Sequence, residues 1–258
     1  SLRARAAQRI LPAAFLLLLV VVWEIVAAFG DVPEYILPAP TAIAERLVRS
    51  WDILWEATLI TTSEVLAGFV IGVALGIALA IPIAYSRTVR NTLYPLIVAS
   101  QAVPKIAIAP LLVLWLGFDI WPKITVTALM VFFPVTVTAA EGFSSVDRNL
   151  LDLLRSVSAT ERQIFFRIRF PYALPHIFSG LKVGITLAVV GAVVGEWVGA
   201  DAGLGYLLTY ANTLLDSTLL FAALFQLIVL GVVLFVIVDM AERLLLPWHR
   251  DDSVALGG

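Results

Sequence analysis

Two stretches of this chain, residues 10–29 and 218–238, run for about twenty residues, the length that crosses a bilayer, with at most one ionisable side chain each. A water-soluble fold has no interior large enough to hide several such runs. Composition points the same way, because 61% of the 258 residues are hydrophobic and only 14% are charged, against roughly 25% charged in soluble domains. Hydropathy places spans near 10–29, 57–85, 93–117, 121–140, 179–199 and 217–240. The expectation is an all-α integral membrane protein with about six transmembrane helices in a single domain over residues 1–258.

Charge placement orients the bundle. Segments 1–9, 86–92, 141–182 and 241–258 hold thirteen of the seventeen Lys and Arg, so by the positive-inside rule they face the cytoplasm and both termini lie there. The opposite connections carry acids: Asp31, Glu34, Asp52, Glu56, Asp119, Asp201 and Asp216. Arg46 and Arg49 are exceptions in an amphipathic stretch, residues 41–54, which is expected to lie as a short outer-surface helix with its long basic side chains reaching headgroups or water. Arg3, Arg5 and Arg9 precede an apolar run longer than the 7–15 residues or so of a secretory signal, which reads as a retained first helix.

The chain has no cysteine and only His176 and His249. Thiolate nucleophiles, disulfides and cysteine metal sites are excluded, a histidine cage is not available, and nothing suggests a nucleic-acid partner. A phosphate-binding loop would need Gly-Lys-Ser/Thr, but Lys105, Lys123 and Lys182 follow Pro104, Pro122 and Leu181. Any ATP chemistry therefore belongs to another polypeptide, and no cofactor is expected on this one.

Within the spans, Gly68, Gly72 and Gly76 form one small-residue row and Gly191, Gly195 and Gly199 another, spacings that let helix backbones approach closely or line a pore. Pro82, Pro104, Pro110 and Pro134 each free a carbonyl and tend to kink a helix. Gln101 and Lys105, beside Pro104, are candidates for a water-filled path that attracts an anion; the alternative is a snorkelling or paired lysine. Glu196 is a third pathway candidate, paired with Lys105 or marking the outer rim, with Thr61 and Gln226 as weaker ones. Glu24, Glu64, Glu196 and Asp239 fall toward span ends by these boundaries, which counts against an ion-coupled secondary transporter, the runner-up reading.

The longest cytoplasmic connection, residues 141–178, is the most informative. Val146, Leu150, Leu151, Leu154 and Val157 alternate at helical spacing with Asp147, Arg148, Asp152 and Arg155, predicting an amphipathic helix. The Thr160/Gln163 and Ser158/Glu161 pairs predict a second helix starting near Glu161, which Pro171 and Pro175 are expected to stop. Ile164, Phe165, Ile168 and Phe170 are expected to be exposed on it. Two short helices at this place are either a docking knob for a soluble partner or a loop packed under its own bundle.

Here the residues resemble a known family. Asp152-Leu-Leu-Arg-Ser-Val-Ser158, nine residues, then Ile168-Arg-Phe-Pro171 is similar to the cytoplasmic signature of binding-protein-dependent ABC importer permeases, Glu-Ala-Ala, three residues, Gly, nine residues, Ile, any residue, Leu-Pro. Spacing is kept, while Asp152 replaces Glu, Leu153 and Leu154 the alanines, Ser158 the Gly and Phe170 the Leu. A serine reaches the left-handed angles of such a turn only at a cost. The segments from Pro171 to Lys182 and from Glu196 through Gly203, Gly205 and Tyr206 to Leu207 resemble permeases for nitrate, sulfonates, taurine, and thiamine-pyrimidine or riboflavin-type compounds.

The resemblance implies a type I ABC importer permease whose coupling-helix loop sits in a cleft of a cytoplasmic ATPase subunit, which carries the ATP and Mg. It implies contacts there by Asp152, Arg155, Ser158, Ala159, Glu161 and Arg162, with Pro171 as a structural stop. It further implies a second permease copy, a periplasmic or lipid-anchored solute-binding protein, and a bacterial cytoplasmic membrane with its lipids. The turn 117–122 and residues 200–217, with Tyr206 and Tyr210, would face the binding protein or anchor at the membrane interface.

Overall fold

The structure is a computed structural model that describes residues 2–30 and 32–248, with the side chains of residues 2–10, 12 and 13 left aside. Of the basic ends used above, the side chains of Arg3, Arg5 and Arg9 and all of Arg250 lie outside the described residues, as do Asp31 and His249. All regular structure among the described residues is helical.

Helices α3 (Trp51–Tyr85), α6 (Ile120–Ser144), α9 (Phe170–Gly199) with the turns that precede it from Glu161, and α11 (Ser217–Leu245) are long and apolar enough to cross a membrane. Helix α1 (Leu2–Phe29) carries a shorter apolar stretch, Ala14–Phe29. The third expected run does not form one straight crossing. Helix α4 (Arg87–Ser100) and the 3-10 turn Lys105–Ile108 that leads into α5 (Ala109–Leu116) meet at 86°. The amides of Gln101, Ala102 and Val103 tighten onto carbonyls three residues back. Pro104 then supplies no N–H and turns the preceding residue out of the helical region, so the ladder stops there.

Helix α6 is the centre of the bundle, with α3 on one side and α9 on the other. The two glycine rows explain the closeness. A Cβ at Gly72 would stand 2.6 Å from the Ala128 carbonyl oxygen, and one at Gly191 2.8 Å from Thr127 Cα, both on α6. Close packing, one of the two readings of these rows, is therefore their role against α6. Gly199 instead faces Val113 and Phe118.

Helix α2 (Pro40–Arg49) is shorter than the predicted surface helix, because residues 51–54 already belong to α3. Of its arginines, Arg46 is half-buried and pairs with Asp216 at 2.6 Å, whereas Arg49 is exposed as expected, beside Glu45 one turn back. Trp23 and Glu24 of α1 hold the approach to α2 through the Pro38 carbonyl and the Thr41 amide and hydroxyl. Helix α10 (Leu204–Thr213) closes the same end against α9 and α11. On the outer faces, Val70 and Leu75 of α3 and Ile228, Val232 and Ile237 of α11 stay exposed, the surface that acyl chains cover.

Candidate functional site

The connection after α6 folds as two short helices around its own small core. Asp147 caps α7 (Arg148–Ser156) by accepting from the Asn149 amide at 2.8 Å. Its apolar side carries Leu151 inward, where Leu151, Val146 and Ile164 are buried with Leu150, Leu154, Ala159 and Ile168 packed around them. Helix α7 ends in a turn whose bonds run from the Ser158 amide to the Arg155 carbonyl and from the Ala159 amide to the Leu154 carbonyl. That pair is the Schellman pattern, which demands left-handed backbone at the residue after the cap. Ser158 has φ of 61°, occupying without glycine the position where the family signature has one.

The capping box predicted from Thr160 and Gln163 is present at the start of α8 (Glu161–Ile164). Two expectations for the next stretch fail. Pro171 and Pro175 do not stop the helix, which continues through the π turn Phe165–Arg169 into α9. The π turn shifts the ladder so that the Phe170 amide bonds to the Phe165 carbonyl. One extra residue per turn absorbs the donor that Pro171 lacks and moves its ring off the preceding carbonyl. The predicted exposed row is also only partly exposed: Ile164 is buried, Phe165 and Ile168 are half-buried, Phe170 is exposed as expected, and Phe166, outside the predicted row, projects furthest. Phe165 turns inward to stack on Phe143 at 5.7 Å between ring centroids.

The polar bets fall together on the outer side of this unit. Asp152, Arg155, Ser158, Glu161 and Arg162 are exposed and Ala159 is half-buried beneath them. Arg155 bridges the two helices, with Nε 3.0 Å from Glu161 Oε1 and Nη1 3.5 Å from Asp152 Oδ1. The Glu161 hydrogen bond, with Asp152 beside it, raises the pKa of Arg155 above its ordinary value. Arg162 lies over the Phe166 ring, and Leu153 and Val157 project nearby. The unit is thus both packed on its own core and furnished with a mixed charged and apolar outer face.

The pathway candidates separate. Gln101 and Lys105 sit at the α4 to α5 bend; Gln101 is exposed, and Lys105 is half-buried with Nζ 4.9 Å from the centre of the Phe133 ring. Glu196 does not meet Lys105. It is buried, accepting from Thr61 Oγ1 at 2.6 Å and from the Gly205 amide. Thr61 Oγ1 in turn accepts from the Leu204 amide at 2.9 Å. Glu196 therefore caps the start of α10 from a distance. Gly203, at φ of 112°, and Gly205 are needed there because a Cβ on either would run into the carboxylate.

Glu64 lies well inside α3 rather than toward its end, fully buried, with Lys123 Nζ of α6 3.1 Å from its Oε1. It stands level with the start of α6, of which Lys123 is the fourth residue. Lys123 was not singled out for this role. The available signal was a lysine on an otherwise apolar face, four residues after an N-cap aspartate, where an unpaired charge could not stay. At the other end of the bundle Lys182 of α9 bridges Asp239 and Glu242 of α11 at 3.2 and 2.5 Å.

Residues 72–250 match the family of binding-protein-dependent transport system inner membrane components. Over 247 residues, 95% of this chain and 98% of its relative, the sequence is 40% identical to the formylaminopyrimidine transport permease protein ThiX of Halalkalibacterium halodurans. It is 37% identical to the riboflavin transport system permease protein RibX of Chloroflexus aurantiacus, over 64% of this chain and 63% of that one. It is 34% identical to the putative aliphatic sulfonates transport permease protein SsuC of Escherichia coli, with 64% and 63% covered. An inward-facing structure of the MetNI methionine ABC transporter shares the fold at a TM-score of 0.56 and 22% identity, over 76% of this chain and 94% of that one. With its crossing helices and its folded loop in the signature's place, the chain belongs to the inner-membrane permease family of binding-protein-dependent transport systems, as the permease subunit of an ABC importer.

Proposed function

We propose that the α7–α8 unit is the coupling element on which a cytoplasmic ATPase subunit docks, and that ATP and Mg act on that subunit rather than on this chain. The observation that carries this reading is the bridge of Arg155 to Asp152 and Glu161 across a loop with its own core. A force applied to α7 or α8 passes without a slack linker through the π turn into α9, because the backbone is helical from Glu161 to Gly199. Two copies of the permease form the pathway between them, with two ATPase subunits below and a periplasmic or lipid-anchored solute-binding protein above, near Tyr206 and Tyr210. Both termini lie in the cytoplasm of a bacterium, and the exposed apolar faces contact membrane lipid. Solute crosses by alternating access, the outward-open state being favoured when ATP and loaded binding protein are bound together.

Full-length likeness to a formylaminopyrimidine permease supports a small pyrimidine-type vitamin precursor as the solute, ahead of a sulfonate or nitrate. Gln101 and Lys105, at the broken third span, line the pathway in this reading. Residues 1–258 act as one permease domain. The test is uptake of labelled formylaminopyrimidine by cells carrying the complete system, with Asp152→Arg or Arg162→Glu in the permease. Either reversal is expected to abolish uptake and co-purification of the ATPase while membrane insertion is unchanged. Undiminished uptake in both would refute the docking assignment.

A further inference from the structure

Between the α3 to α4 turn and the coupling loop lies a cavity of about 480 Å³ whose walls carry five arginines, Arg87, Arg90, Arg148, Arg155 and Arg169, against a single carboxylate, Asp152. Arg155 is already engaged by Glu161 and Asp152. Among the described residues, the other four have no carboxylate within ion-pair reach.

Arg169 is the most telling. It is only 9% exposed, yet its guanidinium has just the Phe143 carbonyl at 3.2 Å and the face of Tyr85 at 4.5 Å for company, and its Nε has no partner. A buried guanidinium with one carbonyl and one ring is under-compensated, since burying a charge is costly unless it is paired and hydrogen-bonded. The start of α4, at Ser86 and Arg87, adds the positive end of a 14-residue helix to the same wall.

We infer that this cavity is a binding site for a phosphate-bearing anion, in which Arg169 at the base and Arg87, Arg90 and Arg148 at the rim grip the phosphate oxygens. Planar guanidinium forks match phosphate oxygens two at a time. The volume is within the range of small-molecule pockets and roomier than one bare oxyanion needs. Basic pockets between membrane helices take up anionic lipid headgroups, so the phosphate comes from a phospholipid headgroup or from a soluble phosphate. The occupant would tie α4 to α7 and Arg169, bracing the α7–α8 unit against the bundle. This inference is independent of the solute transported.

The experiment is native mass spectrometry of the intact permease in detergent, with phosphatidylglycerol, phosphatidylcholine or inorganic phosphate added, for the wild type and Arg87→Gln/Arg90→Gln. These two arginines are exposed, and an unchanged melting curve in detergent checks that the double variant is folded. Preferential retention of phosphatidylglycerol over phosphatidylcholine, weakened roughly tenfold or more in the variant, assigns the site to a lipid headgroup. Retention of inorganic phosphate with the same dependence and no lipid preference keeps the site and assigns it to a soluble anion. Binding of neither probe, or binding that the double variant leaves unchanged, overturns the inference.

Discussion

At the scale of single residues, two side chains hold positions that their chemistry resists. Ser158 sits at φ of 61° in the turn between α7 and α8, and an L-residue with a Cβ pays about 1–2 kcal/mol there. Glycine removes that penalty but loses more chain entropy on folding, about 0.5–1 kcal/mol. Ser158→Gly is therefore expected to stabilise the turn slightly, by under about 1 kcal/mol, with uptake retained; a valine there should lower the melting temperature and weaken ATPase association. Thermal melts of the two purified variants check both. Lys123 is the second case. It faces Glu64 at 3.1 Å inside the bundle, and removing one member of a buried pair strands the other, typically at a cost of about 3–5 kcal/mol. Lys123→Met is expected to reduce the yield of monodisperse protein sharply. Adding Glu64→Gln should restore much of it, which fluorescence-detected size exclusion would read directly.

At the scale of elements, the bundle depends on how closely α3 and α9 approach α6. Gly191 and Gly231 give a matched contrast, since a Cβ at Gly191 would lie 2.8 Å from Thr127 Cα whereas one at Gly231 would meet nothing within 4 Å. Gly191→Leu is expected to force the helices apart, at an overpacking cost of about 1–3 kcal/mol or more. Gly231→Ala should be neutral or stabilising, by up to about 1 kcal/mol from helix propensity. Melting temperatures in one detergent distinguish them, and equal effects would mean that the contact with α6 is not what fixes α9. The π turn belongs to this scale too. It lets a Pro-containing signature enter a membrane helix without a break, so that α8 runs into α9 as one continuous helix.

At the scale of the whole molecule, one copy leaves apolar faces of α3, α4, α5 and α11 uncovered, room for both lipid and a second permease. In the proposed assembly two copies share one pathway. Co-expression of the chain with two different tags is therefore expected to give complexes that carry both tags and the ATPase. Recovery of single-tag particles with full ATPase association would exclude the paired arrangement.

How far the sequence reached follows from the range of each interaction. The membrane class, the crossing runs, the capping box and the coupling signature were legible because each rests on residues within a few positions of one another: an apolar run, a Thr160 to Gln163 spacing, a motif. That Ser158 keeps the left-handed turn of the signature's glycine was not legible, because residue type alone argues against it. The broken third span was signalled by Pro104 but not its 86° bend, which depends on where α5 packs against α6. Pro171 misled because a π turn upstream leaves no mark in residue type. Partners across the bundle lay out of reach altogether. Lys123 meets Glu64 from 59 positions away, and Glu196 turns from Lys105 to Thr61, Leu204 and Gly205. By itself the sequence determined that the chain must cross a membrane and carry a capped, amphipathic loop after α6, because hydrophobicity and local capping act along the chain. Only the tertiary structure decided which buried charges meet and where the arginines gather, because those depend on how helices distant in sequence are set side by side.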